Sequence, residues 1–348
     1  MIGSIGQLAG NALGSIALAG VAFAMSRPAA AQSPAEFYAG RNVTIVVSSA
    51  PGGGYDAMSR SVGRHLGRHL PGSPNVIVQN MPGAGGIVAT KHLYTLATRD
   101  GATVGQLQAN TAFEPMFGNK AATYDAQQFN WLGSPAFETG VFTVWHAAGV
   151  KTIEDARRKE LTVGVPGVNS TPSLYTRLLR DTLGLKLRLI AGYTGQTDSQ
   201  IAMEKGETDA FANFYSTVMA FRPTWVSEGK LILLVQYGAT KEPTLPDVPY
   251  APDLAATAGD KALMQAAFAP LALGRPFVAP PGIPADRLAA LRAAFNAMFA
   301  DGAFVADVER VGLKINKSSS GAEIQAVIAE TYKMPQRTID QLRALQEK

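Results

Sequence analysis

The segment Val43-Thr44-Ile45-Val46-Val47 runs into Ala50-Pro51-Gly52-Gly53-Gly54-Tyr55-Asp56, and a helical pattern with Met58, Val62 and Leu66 four residues apart follows directly. An apolar run with so few polar breaks reads as a strand buried on both faces, the kind found in parallel sheets covered by helices. Three glycines allow a tight turn and leave backbone N–H groups uncovered. The start of a helix adds unpaired donors and a partial positive charge. Together these features predict a cradle of backbone amides for a carboxylate or a phosphate. The spacing is not that of the two common phosphate motifs. No Lys-Ser/Thr pair follows the glycines, and Asp56 and Met58 stand where the dinucleotide pattern needs small residues. Taken alone, the loop is also compatible with a plain strand-to-helix turn.

The same unit recurs. Val76-Ile77-Val78 is a second strand, followed by the glycine-rich Pro82-Gly83-Ala84-Gly85-Gly86 and a helix over about Ile87 to Ala97. Thr103 to Leu107 is a third strand. Later, Leu161 to Val165 leads through Pro166-Gly167-Val168-Asn169-Ser170-Thr171 to a helix with Pro172 in its first turn and Ser170 or Thr171 as cap. A strand at 187–190, a helix near 197–205 and a strand at 210–213 complete this second half. The predicted fold class is α/β, with two domains, each a mostly parallel sheet flanked by helices. Ligands of such sheets sit at the carboxyl ends of strands, so the loops of both halves are expected to face one cleft between the domains. Arg275 to Pro280 reads as a short strand. Helices at 285–299, 303–310 and about 321–345 follow and are expected to pack back on the first domain.

Composition narrows the function. The 348 residues are 47% hydrophobic, enough for two domains with real cores, and contain no cysteine. Disulfide and thiolate chemistry is therefore excluded, and zinc would require His and carboxylate ligands. Leu13 to Met25 is a short apolar stretch ending at Arg27-Pro28, and Ala29-Ala30-Ala31 matches a signal-peptide cleavage site. Export to the periplasm with cleavage near Ala31 is expected, although no Lys or Arg precedes the apolar run. Loss of Arg27 with the leader lowers the formal charge from +4 to +3. With no basic run, a nucleic-acid partner is not expected.

No catalytic constellation stands out. Ser48, Ser170 and Ser173 lack the Gly-x-Ser-x-Gly elbow and an evident His partner. His65 and His69 have a metal-compatible spacing, but with Arg60, Arg64 and Arg68 beside them they read as a basic solvent face. Asp56 reads as a helix cap or a brace for its loop. Trp131, Trp145 and Trp225 read as core or hinge packing. No metal or cofactor is expected.

At this point Val43 to Asp56, followed by Asn80-Met81-Pro82-Gly83-Ala84-Gly85-Gly86, resembles the solute receptors of tripartite tricarboxylate transporters, the Bug family. Further similarity lies at Asp100-Gly101, Tyr193-Thr194-Gly195, Gly206-Glu207-Thr208-Asp209, Leu245-Pro246-Asp247-Val248-Pro249 and Ala279-Pro280-Pro281-Gly282-Ile283-Pro284, covering the chain after residue 35. The resemblance implies a two-domain periplasmic binding protein, type II-like, that closes about a hinge of two crossovers. The domains would be 32–139 with 263–348, and 140–262, after a signal peptide at 1–31; the hinge would lie near 137–142 and 260–275. It implies a monomeric receptor, not an enzyme, that holds a small carboxylate and delivers it to integral membrane transporter subunits. A receptor that presents its ligand to a membrane signalling kinase is the alternative, and a phosphate- or carboxylate-handling enzyme a more distant one.

The ligand-binding residues carried over are Pro51, Gly52, Gly53, Gly54, Tyr55, Asp56, Asn110, Thr111, Gly167, Asn169, Ser170, Thr171 and Asn213. Gly53 is expected to serve both close approach of the ligand and the turn itself. Tyr55 stands where the family usually has Thr or Ser. Asn213 stands where many members carry Asp, which an amino-acid ligand would need for its ammonium. A carboxylate without an amino group is therefore expected, a dicarboxylate or an aromatic acid lying on Tyr55.

Overall fold

The computed structural model describes residues 32–168, 170–315 and 317–346. The expected leader at 1–31, its cleavage near Ala31, and Asn169 lie outside the described residues. Among the described residues no single helix is long and apolar enough to cross a membrane.

The strands form two sheets. In chain order they are β1 (Asn42–Val47), β2 (Asn75–Asn80), β3 (Thr103–Gln106), β4 (Asn130–Ser134), β5 (Gly140–Trp145), β6 (Leu161–Val165), β7 (Leu187–Ala191), β8 (Ala210–Phe214), β9 (Leu231–Tyr237), β10 (Phe277–Ala279) and β11 (Ser319–Ser320). One sheet has the order β11-β4-β10-β3-β1-β2 and the other β7-β6-β8-β5-β9. β1 is flanked by parallel partners, with Ile45 opposite both Val78 and Val104. Val43, Ile45, Val46 and Val47 are all buried, which accounts for the unbroken apolar run.

The α/β architecture is as expected from the strand and helix pattern, but the sheets are mixed rather than mostly parallel. β10 runs antiparallel to β3 and β4, and β5 runs antiparallel to β8 and β9. The reason lies in the chain path. β5 is the first strand after the crossing from the six-stranded to the five-stranded sheet, and β10 is the first after the return. Each enters its sheet without the helical crossover that a parallel neighbour requires. The strands β4, β5, β9 and β11 are not evident from periodicity; β11 has only two residues.

The helices are α1 (Pro34–Tyr38), α2 (Gly54–His69), α3 (Ile87–Thr95), α4 (Ile153–Arg158), α5 (Thr171–Leu183), α6 (Gln196–Glu204), α7 (Tyr215–Phe221), α8 (Pro223–Ser227), α9 (Ala258–Phe268), α10 (Ala285–Phe299), α11 (Gly302–Arg310), α12 (Gly321–Thr331) and α13 (Gln336–Gln346). The single helix expected at about 321–345 is thus two. Pro335 lacks an N–H and disfavours helical geometry in the residue before it, so the chain turns between α12 and α13. α10, α11 and α12 pack against elements of the first lobe, as expected, whereas α13 rests on α9 and α5.

The basic stripe of α2 keeps Arg60, Arg64 and Arg68 exposed, as expected, but is not bare. It packs on α11, where Arg64 pairs with Asp307 at 2.7 Å and Arg68 with Asp301 at 2.5 Å. His69 meets Asp301 at 3.0 Å, and His65 is buried edge-on against Phe304. Trp131 is fully buried, and Trp145 stacks edge-on against Trp225 at 4.9 Å.

Candidate functional site: a cleft between two sheets

A cleft of about 460 Å³ lies where the carboxyl ends of the parallel strands of both sheets meet. The loops after β1, β2 and β3 line one wall, and those after β6, β7 and β8 line the other. This is where α/β sheets offer ligands their loops and helix N-termini. Three helices begin at this cleft, α2 at Gly53, α5 at Ser170 and α6 at Gly195, and none has a side-chain cap on its first amides. Three uncapped N-termini present unpaired donors and partial positive charge to one space.

The glycine loop after β1 is held from behind. Asp56 Oδ2 accepts from Gly52 N at 3.0 Å and from Arg60 Nε at 2.9 Å, while Oδ1 accepts from Asn80 Nδ2 at 2.9 Å. Burial pushes the Asp56 carboxyl up, but the hydrogen bonds from Arg60, Gly52 and Asn80 outweigh it and hold the group below its ordinary value. Asp56 braces the loop and does not line the cleft. Gly53 has an extended backbone (φ −95°, ψ 175°), and a Cβ there would meet nothing within 4 Å. Any residue can adopt that conformation, so the turn does not require glycine at 53, and the missing side chain leaves open space in the cleft. Gly54 is different, because a Cβ there would lie 2.5 Å from Thr217 Oγ1 and 2.6 Å from Arg275 Nη1.

Tyr55 turns its ring to the cleft, but its hydroxyl is occupied. It donates to Gly274 O at 3.4 Å and accepts from Ala109 N at 3.3 Å. Burial pushes its pKa up to about 12, keeping the phenol neutral. The ring lies 6.0 Å from that of Phe214, on the opposite wall.

Pro51, Gly52, Gly53, Gly54, Tyr55, Asn110, Gly167, Ser170, Thr171 and Asn213 all line this cleft. Thr111 does not. The short turn at 109–112 buries its side chain, whose hydroxyl donates to Gln108 O at 2.8 Å. Ser170 begins α5 as read from sequence, yet its hydroxyl donates to Gly167 O at 2.8 Å instead of capping the helix. Ser173 donates to the same carbonyl at 2.5 Å. Ser48 Oγ accepts from Gln108 N at 2.9 Å. These hydroxyls shape loops and meet no imidazole.

Several buried polar atoms in the lining have no partner, namely Asn110 Oδ1, Thr171 Oγ1, Gln196 Oε1, Asn213 Nδ2 and Arg275 Nη1. The three amides are oriented by bonds that their other ends make. Asn110 Nδ2 donates to Glu114 Oε1 at 3.0 Å, Gln196 Nε2 to Ala212 O at 2.9 Å, and Asn213 Oδ1 accepts from Phe214 N at 2.7 Å. Unpaired buried polar atoms are destabilising, and these five share one cleft, where a polar group entering it could meet them. The cleft also takes in Gln196 and Arg275, which the sequence does not mark as ligand-binding, and the segments Pro82 to Gly86 and Tyr193 to Gly195, which carry the family resemblance without being assigned to the site. For Arg275 a signal existed, since it is the one charge in the otherwise apolar run Leu271 to Ala279.

Comparisons with known proteins point in one direction. The sequence model of the tripartite tricarboxylate transporter family receptors, TctC, matches residues 59–344. A UPF0065 protein encoded in the gbd 5′ region of Cupriavidus necator is 28% identical over 247 residues, covering 67% of this chain and 72% of that protein. A UPF0065 protein of Agrobacterium vitis is 27% identical over 183 residues, half of its own length (50%) and 49% of this chain. Among solved structures, the periplasmic binding protein BugD is similar with TM-score 0.70 and 20% identity, over 88% of this chain and 97% of its own. MatC from Rhodopseudomonas palustris, with bound malate, gives TM-score 0.67 and 20% identity over 88% and 99%. A second R. palustris protein, solved with adipate, gives 0.68 and 18% over 87% and 97%. At these identities the likeness of structure establishes the two-domain α/β fold.

Proposed function

The chain belongs to the TctC family of tripartite tricarboxylate transporter receptors, and from that premise we propose that it is a periplasmic receptor whose cleft holds a small organic carboxylate. The observation that carries this reading is the convergence of three uncapped helix N-termini, those of α2, α5 and α6, on one cleft between two sheets. Backbone amides and helix dipoles recognise an anion without a dedicated side chain. The solved relatives that carry malate and adipate agree with that choice of ligand. A receptor role is favoured over catalysis because the family is one of receptors and the serine hydroxyls of the cleft are bonded to loop carbonyls.

The ligand of this reading is an acid without an amino group. Asn213 offers Nδ2, a donor, where an ammonium would need a carboxylate. The lobes are proposed as 32–139 with 263–348, and 140–262, acting as a monomer that closes on its ligand and delivers it to membrane transporter subunits. The crossings between the sheets run through 135–139 and through the segment before β10. Ligand would shift the closing equilibrium by touching both walls only when they approach. Mass spectrometry of ligand retained by the purified protein, followed by calorimetry with malate, adipate, benzoate, glutamate and aspartate, tests the reading. Binding of an amine-free acid supports it; binding of amino acids alone overturns the ligand class, and no retained or added acid overturns the receptor reading.

A further inference from the structure

We propose that Arg275 is the charged donor of the carboxylate site, acting through Nη1 beside the first turn of α2, so that the cleft selects a full negative charge at that end of its ligand. The inference rests on the carboxylate-receptor reading above and adds to it a residue and a basis for specificity.

Arg275 is 1% exposed, yet it lines the cleft. Most of its guanidinium is bonded within the protein. Nε donates to Glu138 Oε1 at 2.5 Å, and Nη2 donates to Thr217 Oγ1 at 2.9 Å and to Ser216 Oγ at 3.1 Å. Glu138 is itself fixed, since its Oε2 accepts from the Ser216 hydroxyl at 2.6 Å. Nη1, with two N–H groups, has no partner. A guanidinium this buried and incompletely bonded is unfavourable unless something else takes up the remaining donors.

The position of Nη1 says what that would be. It lies 2.6 Å from where a Gly54 Cβ would stand, so it abuts the first turn of α2. The N-cap of that helix, Gly53, supplies no side chain to the first amides. Two independent sets of unmet donors, one from backbone and one from a buried side chain, therefore adjoin. Glu138 balances the guanidinium charge, so the cleft does not hold an isolated cation. An anion beside Nη1 meets a pre-aimed, charge-assisted donor, which a neutral carbonyl would exploit far less. The rings of Tyr55 and Phe214 lie 5.2 and 5.3 Å from Arg275 Cζ and help to keep water from it.

The test uses the full mature protein, with malate and adipate as acid probes and malamide and adipamide as their uncharged counterparts. Two variants are compared with the wild type by calorimetry. Arg275→Lys keeps a charge but removes the fork; the double variant R275Q/E138Q replaces the ion pair by a neutral hydrogen-bonded pair and so avoids a lone buried carboxylate. In each folded variant the affinity for the acid should fall about tenfold to a hundredfold, the range of one charge-assisted hydrogen bond, with the affinity for the amide little changed. Arginine side-chain NMR of the wild type supplies a measurement that no folding defect can spoil, and the Arg275 Nη signals should move on saturation with acid. Equal loss for acid and amide, or unmoved Arg275 signals in the saturated protein, overturns the proposal and leaves the receptor reading intact. A wild type that binds neither malate nor adipate overturns the proposal as stated, and one that neither retains nor binds any acid removes the receptor reading as well.

Discussion

Gly54, in the first turn of α2, lies against Thr217 of α7, so closely that a methyl group on Gly54 would stand 2.5 Å from the Thr217 hydroxyl oxygen. This is a contact between the two walls of the cleft, made possible by the absence of one side chain. Its neighbour Gly53 faces open space instead. The two glycines should therefore respond differently to substitution. Gly54→Ala presses on Thr217 and on the buried Arg275, and should cost about 1–3 kcal/mol of stability, as overpacking does. Gly53→Val should cost about 1 kcal/mol of stability, as a poorer N-cap residue does, yet weaken acid binding by about 2 kcal/mol or more by filling the proposed anion site. Urea denaturation beside calorimetry separates the two; a Gly53→Val protein that binds as the wild type does would remove the loop from the site.

The two crossings between the sheets touch at Gly274. Its φ is +59°, and a Cβ there would overlap the carbonyl oxygen of Ala136. Ser134 Oγ bonds across the same place, accepting from Arg275 N at 3.0 Å and donating to Ala136 O at 3.0 Å. Gly274→Ala should destabilise by more than about 2 kcal/mol, from left-handed strain combined with the steric overlap. A midpoint of urea unfolding equal to that of the wild type would show that the crossings are looser than this contact implies.

Asp301 gives a pH signature. It caps α11 through Ala303 N at 2.9 Å and accepts from Arg68 and His69. The hydrogen bond from Ala303 N, joined by those from Arg68 and His69, lowers its pKa to about 2. A carboxyl whose folded pKa lies below its unfolded value, about 3.9, stabilises the fold above that value and loses this contribution as pH falls through the folded one. Asp301→Asn should therefore lower Tm at pH 7, and the gap to the wild type should narrow as pH falls from about 4 to about 2. A gap independent of pH would mean that the ionised carboxylate is not what matters.

Asn213 can be changed with little disturbance. An aspartate in its place would still accept from Phe214 N, as Asn213 Oδ1 does at 2.7 Å. It would lose the unpartnered Nδ2 donor and add a negative charge to the wall of the cleft. Asn213→Asp should weaken binding of malate or adipate by about tenfold or more, the scale of a lost hydrogen bond plus like-charge repulsion. Calorimetry on this variant that shows unchanged affinity for the acid, or gained affinity for an amino acid only, distinguishes a remote Asn213 from one that sets ligand class.

The features legible in the amino-acid order alone are local. The unbroken apolar run at 43–47, the glycines after it, the recurrence of strand, loop and helix, and the proline-marked start of α5 each act over a short stretch of chain, and each is visible because backbone conformation and strand burial leave short-range patterns. The order of these units along the chain also determined that two sets of loops would face one cleft. Whatever depends on distant partners was set by packing between remote segments. Pro335 could be seen, but whether it would end the helix or kink it depends on what packs beyond it. The arginines of α2 read as a solvent face and are exposed, but their pairing with Asp301 and Asp307, 233 and 243 residues away, and the burial of His65 against Phe304 depend on α11. Arg275 became part of the site only because Glu138, 137 residues earlier, and Thr217, 58 residues earlier, hold its guanidinium beside Gly54. A side chain's chemistry is written in the sequence, but which of its donors remain unpaired is set by every group that packs around it, and that is a property of the folded whole.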